Sequence, residues 1–386
     1  MPLPLPPLRL TGATILRDGA LQQRSIAFAD GKITRGPLPE VDLTGYLVLP
    51  GIIDLHGDGF ERHLTPRPSA PFDKARALAS AAAELAANGV TTAWFAQSWS
   101  WEGGFRSGDA TQALLAALKA ARGELLADIR VQIRLETHVV PEHDAVRAAV
   151  AQHEVDYIVF NNHLPEAVDL ATSAPDKFAS WAAQHRLTAT EMMQIVRGAQ
   201  AQEADVEPAL AQLAATFRAG GVRMGSHDDP CAATRARFRA HGAMISEFPT
   251  TIAAAQAARE AGEPVLMGAP NVVRGGSQSG NIAAEDLVKL GLCDALVSDY
   301  YYPALAQAAF ALADRGTCDL AQAWRMISTA PARIIGLSDR GEIAQGQRAD
   351  LVVINAQTRA AEMTVSAGRV AHLAGELAAR MVGRAA

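Results

Sequence analysis

Cysteine is scarce in this sequence of 386 residues. Its three positions, Cys231, Cys293 and Cys318, lie far apart and include no Cys-x-x-Cys pair. A disulfide framework and a zinc knuckle both need cysteines in larger number or at closer spacing, so both are excluded. A sparse, odd count is typical of a protein in a reducing compartment. We therefore expect a cytoplasmic protein without structural disulfides.

Long apolar runs and an excess of basic residues are also missing. No stretch reaches the roughly 18 apolar residues of a membrane helix. The first ten residues, MPLPLPPLRL, lack the basic start and unbroken apolar core of a secretory signal. The net charge is −6, whereas nucleic-acid binding needs a basic face. We expect no membrane and no nucleic acid among the partners; a local basic pocket for a small anion and a homo-oligomer stay open.

The composition and the two ends of the chain indicate a globular protein with two parts. Hydrophobic residues make up 49% and charged residues 20%, which excludes a disordered chain. Both ends alternate short apolar runs with turn sequences such as Arg17-Asp18-Gly19. We predict that residues 1–47 and 340–386 form one small β-sandwich domain. The remaining length is enough for a barrel of roughly 250 residues.

Between the two ends, apolar strands alternate with helices rich in alanine and leucine, a pattern typical of a parallel sheet. Eight strand candidates follow one another: YLVLPGIIDLH, VTTAWFAQS, IRVQIRLETH, VDYIVFNNH, GVRMGSHDD, AMISEFP, PVLMGAP and CDALVSDYY. Gly89 and Gly220 are placed to end two of the helices. Eight such units predict the α/β class, as a (β/α)8 TIM barrel over residues 48–339.

Polar side chains follow five of the eight strands, at the point where each strand ends. Because the carboxyl ends of barrel strands meet at one mouth, we expect these side chains to lie close together. They are His56 and Asp58 after strand one, Glu136 after strand three, His163 after strand four, His227 after strand five and Asp299 after strand eight. Imidazole and carboxylate together suit zinc, manganese or iron. Six ligand-type residues exceed the need of one tetrahedral ion, so we predict two divalent ions.

Each of these residues alone has a structural interpretation. A histidine after a strand is often a core residue, and an aspartate there often caps the next helix. Asp228 and Asp229, just before Pro230, fit the capping interpretation and are left out of the predicted site. His138 shares a face with Glu136 and is either a ligand or a group that orients one. The metal hypothesis therefore rests on five strand ends taken together.

Two segments beside these strand ends predict an anion-binding site. Residues 61–68 (ERHLTPRP) follow strand one, and residues 268–281 (GAPNVVRGGSQSGN) follow strand seven. Small residues let backbone amides approach a ligand, and arginine binds phosphate through a fixed fork. The alternative is a glycine-rich surface loop with a solvated arginine. The predicted substrate-binding residues are Arg67, Arg274, Gly275, Gly276 and Ser277.

Several of these motifs resemble a known family. PGIIDLH followed by Asp58, the late Asp299 and the ending GEIAQGQRADLVV are similar to the amidohydrolase superfamily. ERHLTPRP, SHDD, EFPTT, VLMGAPNVVRGGSQSGN and SDYY resemble its phosphonate branch, the PhnM-like diphosphatases. Those enzymes act on α-D-ribose 1-methylphosphonate 5-triphosphate in the carbon–phosphorus lyase pathway. The resemblance implies a metal-dependent hydrolase that binds a small phosphorylated anion and releases pyrophosphate.

The resemblance also implies roles for single residues. Its metal positions fall on the six strand-end residues named above. Glu136 is expected to bridge two ions, one also held by His56, Asp58 and Asp299 and the other by His163 and His227. With two ions beside it, a water molecule loses its proton readily, and Asp299 is the predicted catalytic residue that takes this proton.

Three segments depart from the pattern of the phosphonate branch: Gln97–Trp101, Asn162–Ala167 and Ser277–Asn281. They spare the metal positions but leave the substrate open. An amidohydrolase that acts on an amide or cyclic amide is therefore the alternative function. A barrel that binds a ligand without catalysis is a third hypothesis, which is disfavoured because every expected metal position is filled.

Overall fold

The computed structural model describes residues 4–67 and 70–382. Residues 1–3 of the proline-rich start, Pro68 of the ERHLTPRP segment and the last residues of the predicted small domain lie outside this part. The described chain contains three sheets, of eight, six and four strands.

The strands fall into three groups along the chain. The first seven are β1 (Leu8–Thr11), β2 (Thr14–Arg17), β3 (Ala20–Gln23), β4 (Ile26–Ala29), β5 (Lys32–Thr34), β6 (Glu40–Asp42) and β7 (Tyr46–Pro50). The next eight are β8 (Ile52–Gly57), β9 (Val90–Trp99), β10 (Asp128–Glu136), β11 (Tyr157–Asn161), β12 (Arg223–His227), β13 (Ile245–Glu247), β14 (Val265–Gly268) and β15 (Ala295–Val297). The last three are β16 (Leu351–Asn355), β17 (Ala361–Ser366) and β18 (Arg369–Leu373).

Strands β8 to β15 form one parallel sheet in sequence order. Its two edges meet where Gly57 pairs with Asp299, whose N–H donates to the carbonyl of His56 at 2.9 Å. The sheet therefore closes on itself, and the predicted (β/α)8 TIM barrel is confirmed. Each barrel strand lies within one of the eight strand candidates or extends one residue beyond it.

Helices connect the barrel strands on the outside. The first eight are α1 (Glu61–Leu64), α2 (Lys74–Ala87), α3 (Gly108–Ala121), α4 (His143–His153), α5 (Leu164–Ser173), α6 (Pro175–Gln184), α7 (Ala189–Gln200) and α8 (Glu203–Ala219). The other eight are α9 (Ala232–Ala240), α10 (Ile252–Glu260), α11 (Ala269–Arg274), α12 (Ala284–Lys289), α13 (Ala304–Asp314), α14 (Leu320–Arg325), α15 (Thr329–Ile335) and α16 (Gly375–Val382). No helix in the described ranges is long and apolar enough to cross a membrane.

The ends of α2 and α8 test the helix boundaries predicted from glycine positions. Asp73 caps α2 by accepting from the backbone N–H of Arg76, and α2 is followed by Gly89 at φ +80° as predicted. The prediction for Gly220 was wrong by one residue. Gly220 keeps a right-handed conformation, and Gly221 at φ +72° makes the left-handed turn.

The chain ends build the predicted β-sandwich. The six-stranded sheet has the order β18-β17-β16-β7-β2-β3, so it mixes strands from both ends, and the four-stranded sheet has the order β5-β4-β1-β6. Their inner faces share one hydrophobic core, which includes Phe28, Val353 and Val365. The first strand candidate therefore contains two strands, β7 and β8, separated by Gly51. A Cβ atom at position 51 would collide with the side chain of Thr91. The exact division into two folding units stays a prediction.

Candidate metal centre

The six predicted metal ligands all lie at the carboxyl ends of barrel strands. His56, Glu136 and His227 are the last or next-to-last residues of β8, β10 and β12. Asp58 follows β8 by one residue, His163 lies between β11 and α5, and Asp299 follows β15. The structure therefore places all six at one mouth of the barrel, which is where active sites of this fold lie.

Two of the predicted histidines form a cluster with a glutamate that the sequence analysis did not select. The ring centres of His56 and His227 are 5.2 Å apart. Ligand atoms of His56, His227 and Glu247 lie within 4.8 Å of one another. The buried Nδ1 of His227 lies 3.0 Å from Oδ2 of Asp228. Two imidazoles and a carboxylate at this spacing fit the donor set of a metal site.

Glu247 is held by three donors. Its Oε2 accepts from the Nδ1–H of His56 at 2.7 Å, and its Oε1 accepts from Gln132 Nε2 at 2.7 Å and from the hydroxyl of Tyr157 at 2.5 Å. Burial raises the pKa of Glu247, but the charges of His56 and His227 outweigh it, and the pKa is lowered. An ionised Glu247 thus fixes the proton of His56 on Nδ1, which leaves Nε2 for a metal.

Replacing Glu247 with glutamine tests this orienting role. We expect the variant to fold and to bind metal about 10- to 100-fold more weakly, because outer-sphere partners of ligating histidines contribute this much. Tyr157→Phe removes only one of the three donors and should show a smaller effect. Chelator competition with a thermal melt on each variant measures both quantities. Unchanged metal affinity in a folded Glu247→Gln protein would remove the orienting role.

Glu136 pairs with His163 on the other side of the mouth. Its Oε1 accepts from His163 Nδ1 at 2.6 Å, and its Oε2 accepts from the backbone N–H of His163 at 3.0 Å and from Trp101 Nε1 at 3.2 Å. Burial lowers the pKa of His163, but the Glu136 carboxylate outweighs it and the pKa is raised. The two residues form one unit, which lies outside the three-residue cluster found among the described residues.

A cavity of about 250 Å³ opens beside the histidine cluster. Its walls include Asp58, Arg134, His227, Asp228 and Asp299. Burial and the nearby charge of Asp58 raise the pKa of Asp299 to about 6. The buried guanidinium of Arg134 lies 3.9 Å from the carboxylate of Asp58, and its positive charge also acts on the carboxylate of Asp299.

The loop after β14 forms the opposite wall of this cavity. Arg274, Gly276 and Ser277 line it, and Arg274 Nη1 donates to Gln278 Oε1 at 3.1 Å and to the hydroxyl of Tyr300 at 3.3 Å. Gly275 ends α11 at φ +80° and turns the chain toward Gly276. The loop therefore brings an exposed arginine and small residues to the same space as the candidate ligands.

Arg67 and His138 lie apart from these groups. Arg67 is exposed on the turn after α1, and it is not among the residues that line the cavity of Asp58 and Asp299. His138 is buried, and its Nε2 lies 2.9 Å from Glu203 at the start of α8. Arg67 remains a predicted substrate residue without a contact to the site, whereas His138 has the contact of a structural histidine.

The capping interpretation of Asp228 and Asp229 was wrong. The residue at the N-cap position of α9 is Cys231, and its side chain makes no capping bond. Asp229 is buried and accepts from Ser226 Oγ at 2.5 Å and from Arg235 Nη1 at 3.1 Å, so its role is structural. Asp228 lines the cavity, and its Oδ2 lies 3.0 Å from His227 Nδ1.

The sequence held usable signals for the residues that were missed. Glu247 is a carboxylate at the end of the sixth strand candidate, the same pattern that selected Glu136. Arg134 precedes Glu136 by two residues and therefore shares its face of the strand. Trp101 carried no such signal, because it lies in the loop after β9.

Comparison with known proteins agrees with this geometry. The model of the amidohydrolase family matches residues 47–371. The α-D-ribose 1-methylphosphonate 5-triphosphate diphosphatase of Escherichia coli (strain K12) is 35% identical over 355 residues, which cover 89% of this chain and 91% of that protein.

Solved structures share the fold at low sequence identity. A β-aspartyl dipeptidase from Fervidobacterium islandicum AW-1 superimposes with a TM-score of 0.63 at 14% identity, covering 95% of this chain and 97% of that one. An N-acetylglucosamine-6-phosphate deacetylase from Pasteurella multocida gives 0.62 at 10% identity, covering 94% and 99%. The family match and the long alignment together decide the identity: the chain belongs to the amidohydrolase family, a group of metal-dependent hydrolases.

Proposed function

We propose that the protein hydrolyses α-D-ribose 1-methylphosphonate 5-triphosphate to the 5-monophosphate and pyrophosphate. The observation that carries this proposal is the shared cavity. The ligand-type residues Asp58, His227 and Asp299 line it together with Arg274. A triphosphate needs cations beyond the metals, and an arginine beside small residues supplies them. The 35% identity to a diphosphatase of this specificity supports the same substrate.

The residues present fit a pair of divalent ions. His56 and His227 contact a carboxylate through Nδ1, that of Glu247 and that of Asp228, and each keeps Nε2 for a metal. Asp58 and Asp299 add carboxylate oxygens, and Glu136 and His163 form a neighbouring unit. Nitrogen and oxygen donors together suit zinc, manganese or iron. When bound, such ions would lower the pKa of water and offset the charge of the phosphates.

Phosphate binding and proton transfer are assigned to side chains and backbone amides of the protein. Arg274 and the backbone amides of Gly276 and Ser277 bind the β- and γ-phosphates. Arg134 also lines the cavity. Asp299 accepts the proton of the attacking water. The water oxygen bonds to phosphorus while the bridging P–O bond between the α- and β-phosphates breaks. The 5-monophosphate and pyrophosphate are the two products, so atoms and charge balance without a redox partner.

The binding role of Arg274 gives a prediction for substrate affinity. Arg274→Ala should raise KM for the triphosphate by about 10-fold, because a hydrogen bond to a charged group is lost at an exposed position. Metal content should not change. Arg259→Ala is a matched control, since Arg259 is an exposed arginine that pairs with Asp294 before β15, at the opposite end of the barrel. A rise in KM in both variants, or in neither, would contradict the role of Arg274.

A turnover panel tests the function itself. The purified, metal-loaded protein is assayed with the ribose phosphonate triphosphate, nucleoside triphosphates and a set of cyclic amides. We expect the phosphonate triphosphate to have the highest kcat/KM. If a neutral cyclic amide is opened and no triphosphate is hydrolysed, the proposed substrate is wrong, and the chain is an amidohydrolase of amide substrates.

A further inference from the structure

A second cavity of about 560 Å³ lies at the same end of the barrel. We call it the side cavity; it is formed by Glu61 and Leu64 after β8, Gln97 near the end of β9, Phe105 in the following loop and His185 after α6. These segments follow the first, second and fourth barrel strands. The side cavity therefore belongs to the mouth of the barrel.

The side cavity and the metal-centre cavity are neighbours. The N–H of Glu61 donates to the carbonyl of Asp58 at 2.9 Å. Arg62 Nη1 donates to the carbonyl of Tyr300 at 3.0 Å, and the hydroxyl of Tyr300 accepts from Arg274. Arg62 lines the side cavity, whereas Asp58 and Tyr300 line the other. One turn of chain and Tyr300 thus join the walls of the two cavities, which places the cavities next to each other.

A flat aromatic platform forms part of the side cavity. The rings of Phe105 and His185 stack with centres 5.2 Å apart and an angle of 11° between their planes. Phe105 is 39% exposed, and the guanidinium carbon of Arg106 lies 5.3 Å from the centre of its ring. Leu64 and Pro71 add apolar surface. Together these side chains give the cavity an apolar surface, against which an apolar group would be removed from water.

Hydrogen bonds fix the loop that carries Phe105. Gln97 Nε2 donates to the carbonyl of Phe105 at 3.0 Å. Glu102 is buried and accepts from Trp181 Nε1 at 2.7 Å and from Ser100 Oγ at 3.1 Å. These bonds fix the loop after β9 against α6. The cavity is therefore pre-formed, which lowers the entropy cost of binding a ligand there.

We propose that the side cavity binds the group carried on the phosphonate phosphorus, and that it accepts apolar and aromatic groups larger than methyl. This inference rests on the proposed diphosphatase function. A substrate whose triphosphate lies against the Arg274 loop directs its other end across the metal centre. The volume falls within the roughly 300–1,000 Å³ of small-molecule sites, so a methyl group would leave most of it empty.

The charges at the side cavity also suit a phosphonate. Arg62 and Arg186 line it and are both exposed, and Glu61 lines it as well. Arg62 also pairs with Glu84, so it offers its remaining N–H groups rather than an unpaired charge. A phosphonate ester presents anionic oxygens next to a carbon substituent, so it matches arginines beside a ring platform. Gln97 belongs to a segment in which the sequence departs from the phosphonate branch, consistent with a substituent preference of its own.

Paired substrates test the proposal. The 5-triphosphates of ribose 1-methylphosphonate and ribose 1-benzylphosphonate are assayed with the wild-type protein, Phe105→Ala and Phe72→Ala. Phe72 is a matched control, because it is 57% exposed and does not line the side cavity. We expect the benzyl substrate to reach at least the kcat/KM of the methyl substrate. Phe105→Ala should lower kcat/KM about 10-fold for benzyl alone, and Phe72→Ala should change neither.

Three results would overturn the proposal. The methyl substrate is hydrolysed and the benzyl substrate is not, which leaves the diphosphatase function intact. Phe105→Ala lowers kcat/KM for both substrates equally, which indicates a structural role for the platform. Neither phosphonate is hydrolysed while a nucleoside triphosphate is; in that case the proposed function also fails, and the side cavity binds a nucleobase.

Discussion

Replacing Asp299 with asparagine is expected to lower kcat by about 10²- to 10⁴-fold, which is the contribution of a positioned proton acceptor. Asparagine keeps the shape of the side chain but cannot take a proton from water. The backbone N–H of residue 299 donates to the carbonyl of His56 and should continue to close the barrel. KM for the triphosphate should therefore stay close to that of the wild type. Steady-state kinetics over a range of substrate concentrations separate the two parameters.

A matched change at the other end of the same strand is the control. Asp294 precedes β15, and its carboxylate accepts from Arg259 Nη2 at 3.0 Å and from the backbone N–H of Val265 at 2.9 Å. Asp294→Asn makes the same chemical change away from the mouth, so kcat should be retained. Near wild-type kcat in Asp299→Asn would exclude Asp299 as the proton acceptor.

The second large effect is expected at Glu136. Glu136→Gln should lose metal together with activity, because glutamine is a neutral and weaker ligand and no longer balances the charge of His163. We expect activity to fall by more than about 100-fold, which is a larger loss than the replacement of a residue that only hydrogen-bonds to a metal ligand causes. Metal analysis of the purified variant, before and after incubation with excess metal, checks the prediction.

Glu142 offers a carboxylate in a similar contact away from the site. Its Oε2 accepts from Trp99 Nε1 at 2.5 Å, much as Glu136 accepts from Trp101. Trp99 belongs to the core between barrel and helices. Glu142→Gln should keep both metal and activity. A Glu136→Gln variant with full metal content would contradict a ligand role for Glu136 and would leave it as a partner of His163.

The barrel could be predicted because its signal is local. Each strand candidate is an apolar run followed by a helix, and eight such units can close without information about distant contacts. The break at Gly51 could not be predicted in the same way. β7 and β8 are both apolar and follow each other directly, and only pairing with β16 and β9 assigns them to different sheets.

The site was predicted in part for a related reason. Strand ends converge on one mouth by topology, so the six ligand-type residues could be selected without coordinates. The bond between His56 and Glu247 spans 191 residues and depends on the barrel bringing its first and sixth strands face to face. The platform of Phe105 and His185 joins two loops, whose conformations no periodic pattern encodes.

The central claim is metal-dependent cleavage of a phosphonate triphosphate between its α- and β-phosphates. The most direct measurement is the ³¹P NMR spectrum of the metal-loaded protein incubated with α-D-ribose 1-methylphosphonate 5-triphosphate. We predict that pyrophosphate and the 5-monophosphate appear in equal amounts, and that neither appears after the metal is removed by a chelator. Release of orthophosphate, or an unchanged triphosphate spectrum under metal-replete conditions, would contradict the account.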